Sequence, residues 1–174
     1  MSVPHSFVSV TIPASQVLTL NSNPVLLVPG QSGYLMNVYS LYVRYVAGAV
    51  PFNPAYNSGT GVGDVLIAYS GNGEANGTLM LYQGGNQLLG VGFCDQAVDM
   101  CLFMDGWLGQ NSQAPFTTSD APAAPAVDIV GAGLYLIQSV LDSNAGYTTF
   151  PTGTNWTQGN GSFEVTVEYS YLLA

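Results

Sequence analysis

Asp95, Asp99 and Asp105 are the densest local set of carboxylates in this 174-residue chain. On a short helix Asp95 and Asp99 share a face at i,i+4, a spacing suited to acid/base work or to oxygen ligation of a hard cation. The simpler expectation is an N-cap at Asp95 followed by solvated turn carboxylates. A glycosidase needs two of Asp95, Asp99, Asp105 and Asp128 about 5 or 6.5–9.5 Å apart across a cleft. His5 is the sole histidine and has no carboxylate or cysteine near it in sequence. A His-based triad or a His-rich metal site is therefore unsupported. Cys94 and Cys101 are the only cysteines. They read as two buried thiols, with a bridge between them left open. A cysteine nucleophile would need His5 beside it in space.

Other motifs fall short of their chemistry. Asp142-Ser143-Asn144-Ala145-Gly146 begins like a calcium loop, but its glycine is displaced and no glutamate stands at position twelve. Gly59-Thr60-Gly61-Val62-Gly63 leads into a strand pattern with no lysine after it, which rejects a phosphate cradle. Asn76-Gly77-Thr78, Asn155-Trp156-Thr157 and Asn160-Gly161-Ser162 match the glycan-acceptor pattern, which turn-rich sequence also produces by chance. Trp107 and Trp156, with Tyr56 and Tyr147, offer a sugar-stacking surface, against the simpler role of core or subunit packing. No residue is singled out as catalytic, cofactor-binding or metal-ligating. No cofactor and no enzymatic activity are expected.

The charge balance narrows the partners. Arg44 is the one basic residue against ten carboxylates, the formal net charge is -9 and the pI is near 4.1. Such a chain has no basic surface for a phosphate backbone, so no nucleic-acid partner is expected, and it is a poor partner for anionic lipid. Most carboxylates are expected to lack a cationic partner. Yet 48% of the residues are hydrophobic, with eleven Tyr, seven Phe and two Trp. That content folds rather than stays disordered, and it implies that partners cover part of the surface. The first nine residues lack the basic and apolar regions of a secretory signal, and no apolar run approaches the roughly 20 residues that span a bilayer.

The elements that must carry these residues are strands. Ser162 to Tyr171 alternates, with Phe163, Val165, Val167, Tyr169 and Tyr171 on one face and Ser162, Glu164, Thr166, Glu168 and Ser170 on the other. A period of two over ten residues is a strand with one face on a core. Phe7 to Ile12, Gln16 to Leu20 and Val25 to Val28 read as short strands. Tyr34 to Val46 is a long extended run, apolar on both faces. Leu35, Tyr39, Leu41, Val43 and Tyr45 lie on one, and Met36, Val38 and Tyr42 on the other. Ala47 to Gly63 reads as a long loop, Asp64 to Tyr69 and Thr78 to Tyr82 as strands, and Phe93 to Asp99 as a short helical turn. Strands follow at Met100 to Met104, Val127 to Val130 and Leu134 to Leu141. Pro-bearing Gln110 to Ala126 and polar Asp142 to Gly161 read as loops. The expected fold is all-β, a single β-sandwich of jelly-roll type with long loops and at most a short helix. It spans residues 1–174, with 1–9 as a flexible arm.

Several segments carry a family resemblance. Val10-Thr11-Ile12-Pro13-Ala14-Ser15-Gln16-Val17-Leu18-Thr19-Leu20 is followed by Pro24-Val25-Leu26-Leu27-Val28-Pro29-Gly30 and then Gly33. In the middle stand Gly63-Asp64-Val65-Leu66-Ile67-Ala68-Tyr69 and Gly92-Phe93-Cys94-Asp95-Gln96. The end is Gly161-Ser162-Phe163-Glu164-Val165-Thr166-Val167-Glu168-Tyr169-Ser170-Tyr171. In these pieces the chain resembles small structural proteins of tailed-phage virions, none of the pieces being a catalytic motif. The resemblance implies a jelly-roll-like oligomer, favouring a homotrimer. It would be localised to the virion and bound to the major capsid protein as a cement or decoration protein. The Pro-rich stretch and the near absence of Lys and Arg depart from the family and leave its place in the virion open. A carbohydrate- or receptor-binding module of a tail or fibre is the alternative.

Overall fold

A computed structural model describes residues 4–20, 22–53, 56–57, 61–70, 79–80, 93–105, 130–142, 146–147 and 156–174. Strands dominate them. In chain order they are β1 (Ser6–Ile12), β2 (Val25–Val28), β3 (Tyr34–Val46), β4 (Tyr56–Asn57), β5 (Gly61–Ser70), β6 (Leu79–Met80), β7 (Met100–Asp105), β8 (Gly133–Asp142), β9 (Gly146–Tyr147) and β10 (Ser162–Leu173). One four-residue helix, α1 (Ala14–Val17), follows β1. A four-stranded sheet runs β1-β10-β3-β7, and a six-stranded sheet runs β2-β8-β5-β4 with β6 on β5 and β9 on β8. All pairings are antiparallel. The two sheets enclose one core, as their inward residues bury together.

The alternation of β10 has the expected consequence. Phe163, Val165 and Val167 are fully buried, while Tyr169 and Tyr171 lie half-buried at the margin of the core. Central placement explains this, because β10 has β1 on one side and β3 on the other.

β3 behaves differently from its expected two-sided pattern. Its register against β10 slips between Glu168, which faces Ser40, and Tyr169, which faces Val38, leaving Tyr39 as an extra residue. Such a bulge shifts the side-chain alternation by one position. Met36 and Val38 before it, and Leu41, Val43 and Tyr45 after it, therefore all reach the same core. The strand has one buried face, not two apolar ones. Leu35 and Tyr39 do not share the face of Leu41.

Three further segments depart from expectation. Gln16 to Leu20 is not a strand: Pro13 opens α1 and a turn runs on to Leu20. Val17 and Leu20, three apart, are both fully buried, so helical spacing here imitated a short apolar strand. Ala47 to Gly63 is not wholly a loop, since Tyr56 pairs Val62 and Asn57 pairs Gly61. Residues 6–9, expected within a flexible arm, belong to β1 and pair with 166–169 of β10. Val130 stands in a turn rather than a strand, and 110–126 and 127–129 lie outside the described residues.

An aromatic cluster closes one end of the core. Phe163 lies 5.6 Å from Tyr45 and 6.3 Å from Phe52 by ring centroids, and Phe52 lies 5.4 Å from Trp156. Gly159, at φ +133°, lets the segment before β10 lie against the Phe52 ring, where any Cβ would collide.

Candidate functional site

The outward face of the four-stranded sheet gathers most of the described polar chemistry. Pairing registers arrange it in rows. Thr11, Glu164, Arg44 and Cys101 form one row, and Ser9, Thr166, Tyr42 and Phe103 the next. Phe7, Glu168 and Ser40 begin the third. Neighbours within a row stand about 5 Å apart, within reach of hydrogen bonds and ion pairs.

The sole arginine sits in this grid between two carboxylates. Its guanidinium donates to Glu164 at 3.2 Å and to Asp99 at 2.9 Å. Asp99 accepts a second bond, from the Ala47 backbone N–H, also at 2.9 Å. That amide and the guanidinium hold the Asp99 carboxyl below the usual aspartate range, and the two carboxylates raise Arg44 above its ordinary value. One cation thus serves two acids, more than a pairwise count of charges allows for.

The sole histidine occupies the neighbouring corner. His5 Nδ1 lies 2.7 Å from Glu168 Oε1, Ser40 donates to Glu168 Oε2 at 2.8 Å, and the imidazole stacks on Tyr39 at 3.9 Å. The Tyr39 hydroxyl stands 2.9 Å from Ser170 Oγ, so the bulged residue covers that serine. Bonds from His5 and then Ser40 depress the Glu168 carboxyl. His, Glu and Ser meet here in the wrong order for nucleophilic catalysis. A triad places the imidazole between acid and hydroxyl so that it can take the hydroxyl proton, whereas here the carboxylate separates them.

Between these corners lie softer contacts. Ser9 and Thr166 hydroxyls are 2.8 Å apart, and the Tyr42 hydroxyl is 3.1 Å from Cys101 Sγ. That contact and partial burial raise the Tyr42 phenol above its ordinary value. Phe7 and Phe103 are 68% and 61% exposed at the β1 and β7 margins. Chemically the face is a mosaic whose charges are mutually engaged and whose rim is aromatic, an arrangement suited to contact with another surface.

The singled-out residues scatter. Asp95 accepts from Gln96 at 2.6 Å, while Asp99 belongs to the Arg44 pair. Phe93 and Cys94 lie in a π-helical turn and 95–98 in a turn and bends, with no α-helix, so the expected shared helical face of Asp95 and Asp99 is absent. Neither cysteine is in a disulfide. Cys94 is buried as expected, but Cys101 is exposed, because β7 turns it outward opposite Arg44. Trp156 is 2% exposed in the aromatic cluster, which removes it from any sugar-stacking surface. Trp107 and Asp128, and the side chains of Asp105, Tyr56 and Tyr147, lie outside the described residues, as do 58–60, 76–78 and 143–145. Among the described residues no cluster of three His, Cys, Asp or Glu could hold a metal, and no helix is long and apolar enough to cross a membrane. Sequence reasoning missed the His5–Glu168 pairing. Its signal was present in two alternating strands with polar residues on matching faces. No family model matches the chain, and neither does any curated protein or solved structure.

Proposed function

We propose that this chain is a non-enzymatic structural protein of a tailed-phage virion, a cement or decoration protein on the outer capsid. Its partner in this reading is the major capsid protein, and it acts as a homo-oligomer, with a trimer favoured by the family resemblance. The observation that carries the reading is the outward face of β1-β10-β3-β7. There the described charges are internally paired and Phe7, Tyr42 and Phe103 are offered to a neighbour. A mosaic of paired charges with an aromatic rim favours locking subunits together, whereas a glycan reader needs a cleft lined by aromatic rings.

The strand order supports jelly-roll winding. β8 covers one side of β5 along Gly63–Ser70, so β6, which pairs Ala68 and Tyr69, takes the other. The sheets then read β1-β10-β3-β7 and β2-β8-β5-β6, with β4 on the start of β5. Leaving aside two-residue β4 and β9, which pair with β5 and β8, successive strands alternate between sheets as two interleaved Greek keys require, and β5 and β6 adjoin within one sheet.

A density map of the native particle tests the function. The expected result is density for this fold on the outer shell, bridging capsid subunits. Density only at a distal tail tip, touching no capsid protein, overturns the capsid reading. Attachment should persist at high salt, because apolar and main-chain contacts are screened little.

A further inference from the structure

We propose that the free edge of β1 is a self-association site, pairing antiparallel with β1 of a second copy of this chain across a two-fold axis. The pairing is independent of any place in a virion.

β1 is an edge strand. Among the described residues it hydrogen-bonds to β10 alone, so its other side presents unpaired N–H and C=O groups. Edges are commonly blunted by charge or by an interior proline. Ser6–Ile12, Ser-Phe-Val-Ser-Val-Thr-Ile, contains neither. Pro4 and Pro13 flank it and confine pairing to these residues. The register with the most pairs is centred on Ser9. It sets Ser9 on Ser9, Val8 on Val10 and Phe7 on Thr11 of the other copy. These are same-face pairs, and the last joins an aromatic to a β-branched residue. Outward-facing Phe7, Ser9 and Thr11 stay outward, and the two four-stranded sheets become one of eight strands.

The self-complementary register and the absence of charge from the strand select a second copy as the occupant. Two chains at -9 repel, so they meet at least cost through a segment that itself carries no charge. The strand beside β1 carries Glu164 and Glu168, and these are the carboxylates engaged by Arg44 and His5, the only arginine and histidine of the chain. β1 itself bears no charge. Pairing through β1 therefore sets no charged side chain of one copy directly opposite one of the other.

Light scattering from low salt to about 0.15 M, where the Debye length is about 8 Å, should show a mass that doubles with concentration and doubles more readily with salt. Ser9→Glu sets two carboxylates face to face on the axis. It should weaken association at least about tenfold while leaving thermal unfolding of the monomer nearly unchanged. In a Cys101→Ser background, Ser9→Cys should cross-link to itself under mild oxidation, since opposed Cα atoms stand about 4.5–5.5 Å apart. Thr11→Cys should not, because its copies would lie about 14 Å apart. A monomer under all conditions, or equal cross-linking through Thr11→Cys, overturns the proposal. A trimer indifferent to Ser9→Glu also overturns it, while agreeing with the assembly proposed above.

Discussion

Two carboxylates concentrate the ion chemistry of this surface. Asp99 and Glu168 have pKa values depressed below their ordinary 3.8 and 4.5 by bonds to their ionised forms. A group with a depressed folded-state pKa stabilises the fold above its ordinary pKa, and that contribution is lost as pH falls through the folded value. Asp99→Asn should therefore lower the urea midpoint by a constant amount at neutral pH, and the gap to wild type should close progressively below about pH 4. A gap that persists at pH 2 would assign the effect to packing rather than charge. Arg44→Met leaves Asp99 and Glu164 without a cation, but all three groups reach solvent, where screening weakens each pair. Its midpoint should shift less than that of Val165→Ala, which empties a fully buried site at a cost of about 2 kcal/mol. Chemical denaturation of both variants compares them directly.

The bulge at Tyr39 decides which residues of β3 are structural. Without it Val38 would share the outward side with Tyr42, and a polar substitution there would be tolerated. With it Val38 is fully buried, while Leu35 is half-buried and lies opposite exposed Leu172. Val38→Asp should abolish the folded state, and Leu35→Asn should retain it with a lowered melting temperature. Circular dichroism melts of the two variants separate the cases, and a folded Val38→Asp protein would contradict the register. The bulge also aims the Tyr39 hydroxyl at Ser170 and its ring at His5, so one inserted residue both corrects the core and ties down the start of β1.

Across the whole molecule, net charge opposes the compact state. Nine uncompensated negative charges repel within one fold, and screening them should raise the thermal midpoint between about 0.01 and 0.2 M salt, as the Debye length falls from about 30 to below 8 Å. A midpoint that falls with salt would mean that the described ion pairs outweigh the repulsion. The buried centre resists any new charge. Val165→Asp or Val167→Asp places an unpaired carboxylate between the two sheets, a cost of several kcal/mol against a typical total stability of about 5–15 kcal/mol. Neither variant should show a cooperative unfolding transition in calorimetry.

Local pattern determined what depends on neighbours along the chain. The period of two in Phe163, Val165 and Val167 made β10 and its buried face legible, because alternation is a property of one strand and one core. The excess of acid weighs against nucleic acid as a partner by composition alone. Val17 and Leu20 were ambiguous, since a spacing of three in a short apolar run fits either a turn of helix or a broken strand. Tertiary structure alone decided the rest. The slip at Tyr39 exists only relative to β10, so no inspection of β3 could reveal it. The pairing of His5 with Glu168 spans 163 residues and follows from β1 lying beside β10. Cys101 faces outward because β3 sets Arg44 across from it, a matter of register between strands that sequence spacing does not encode.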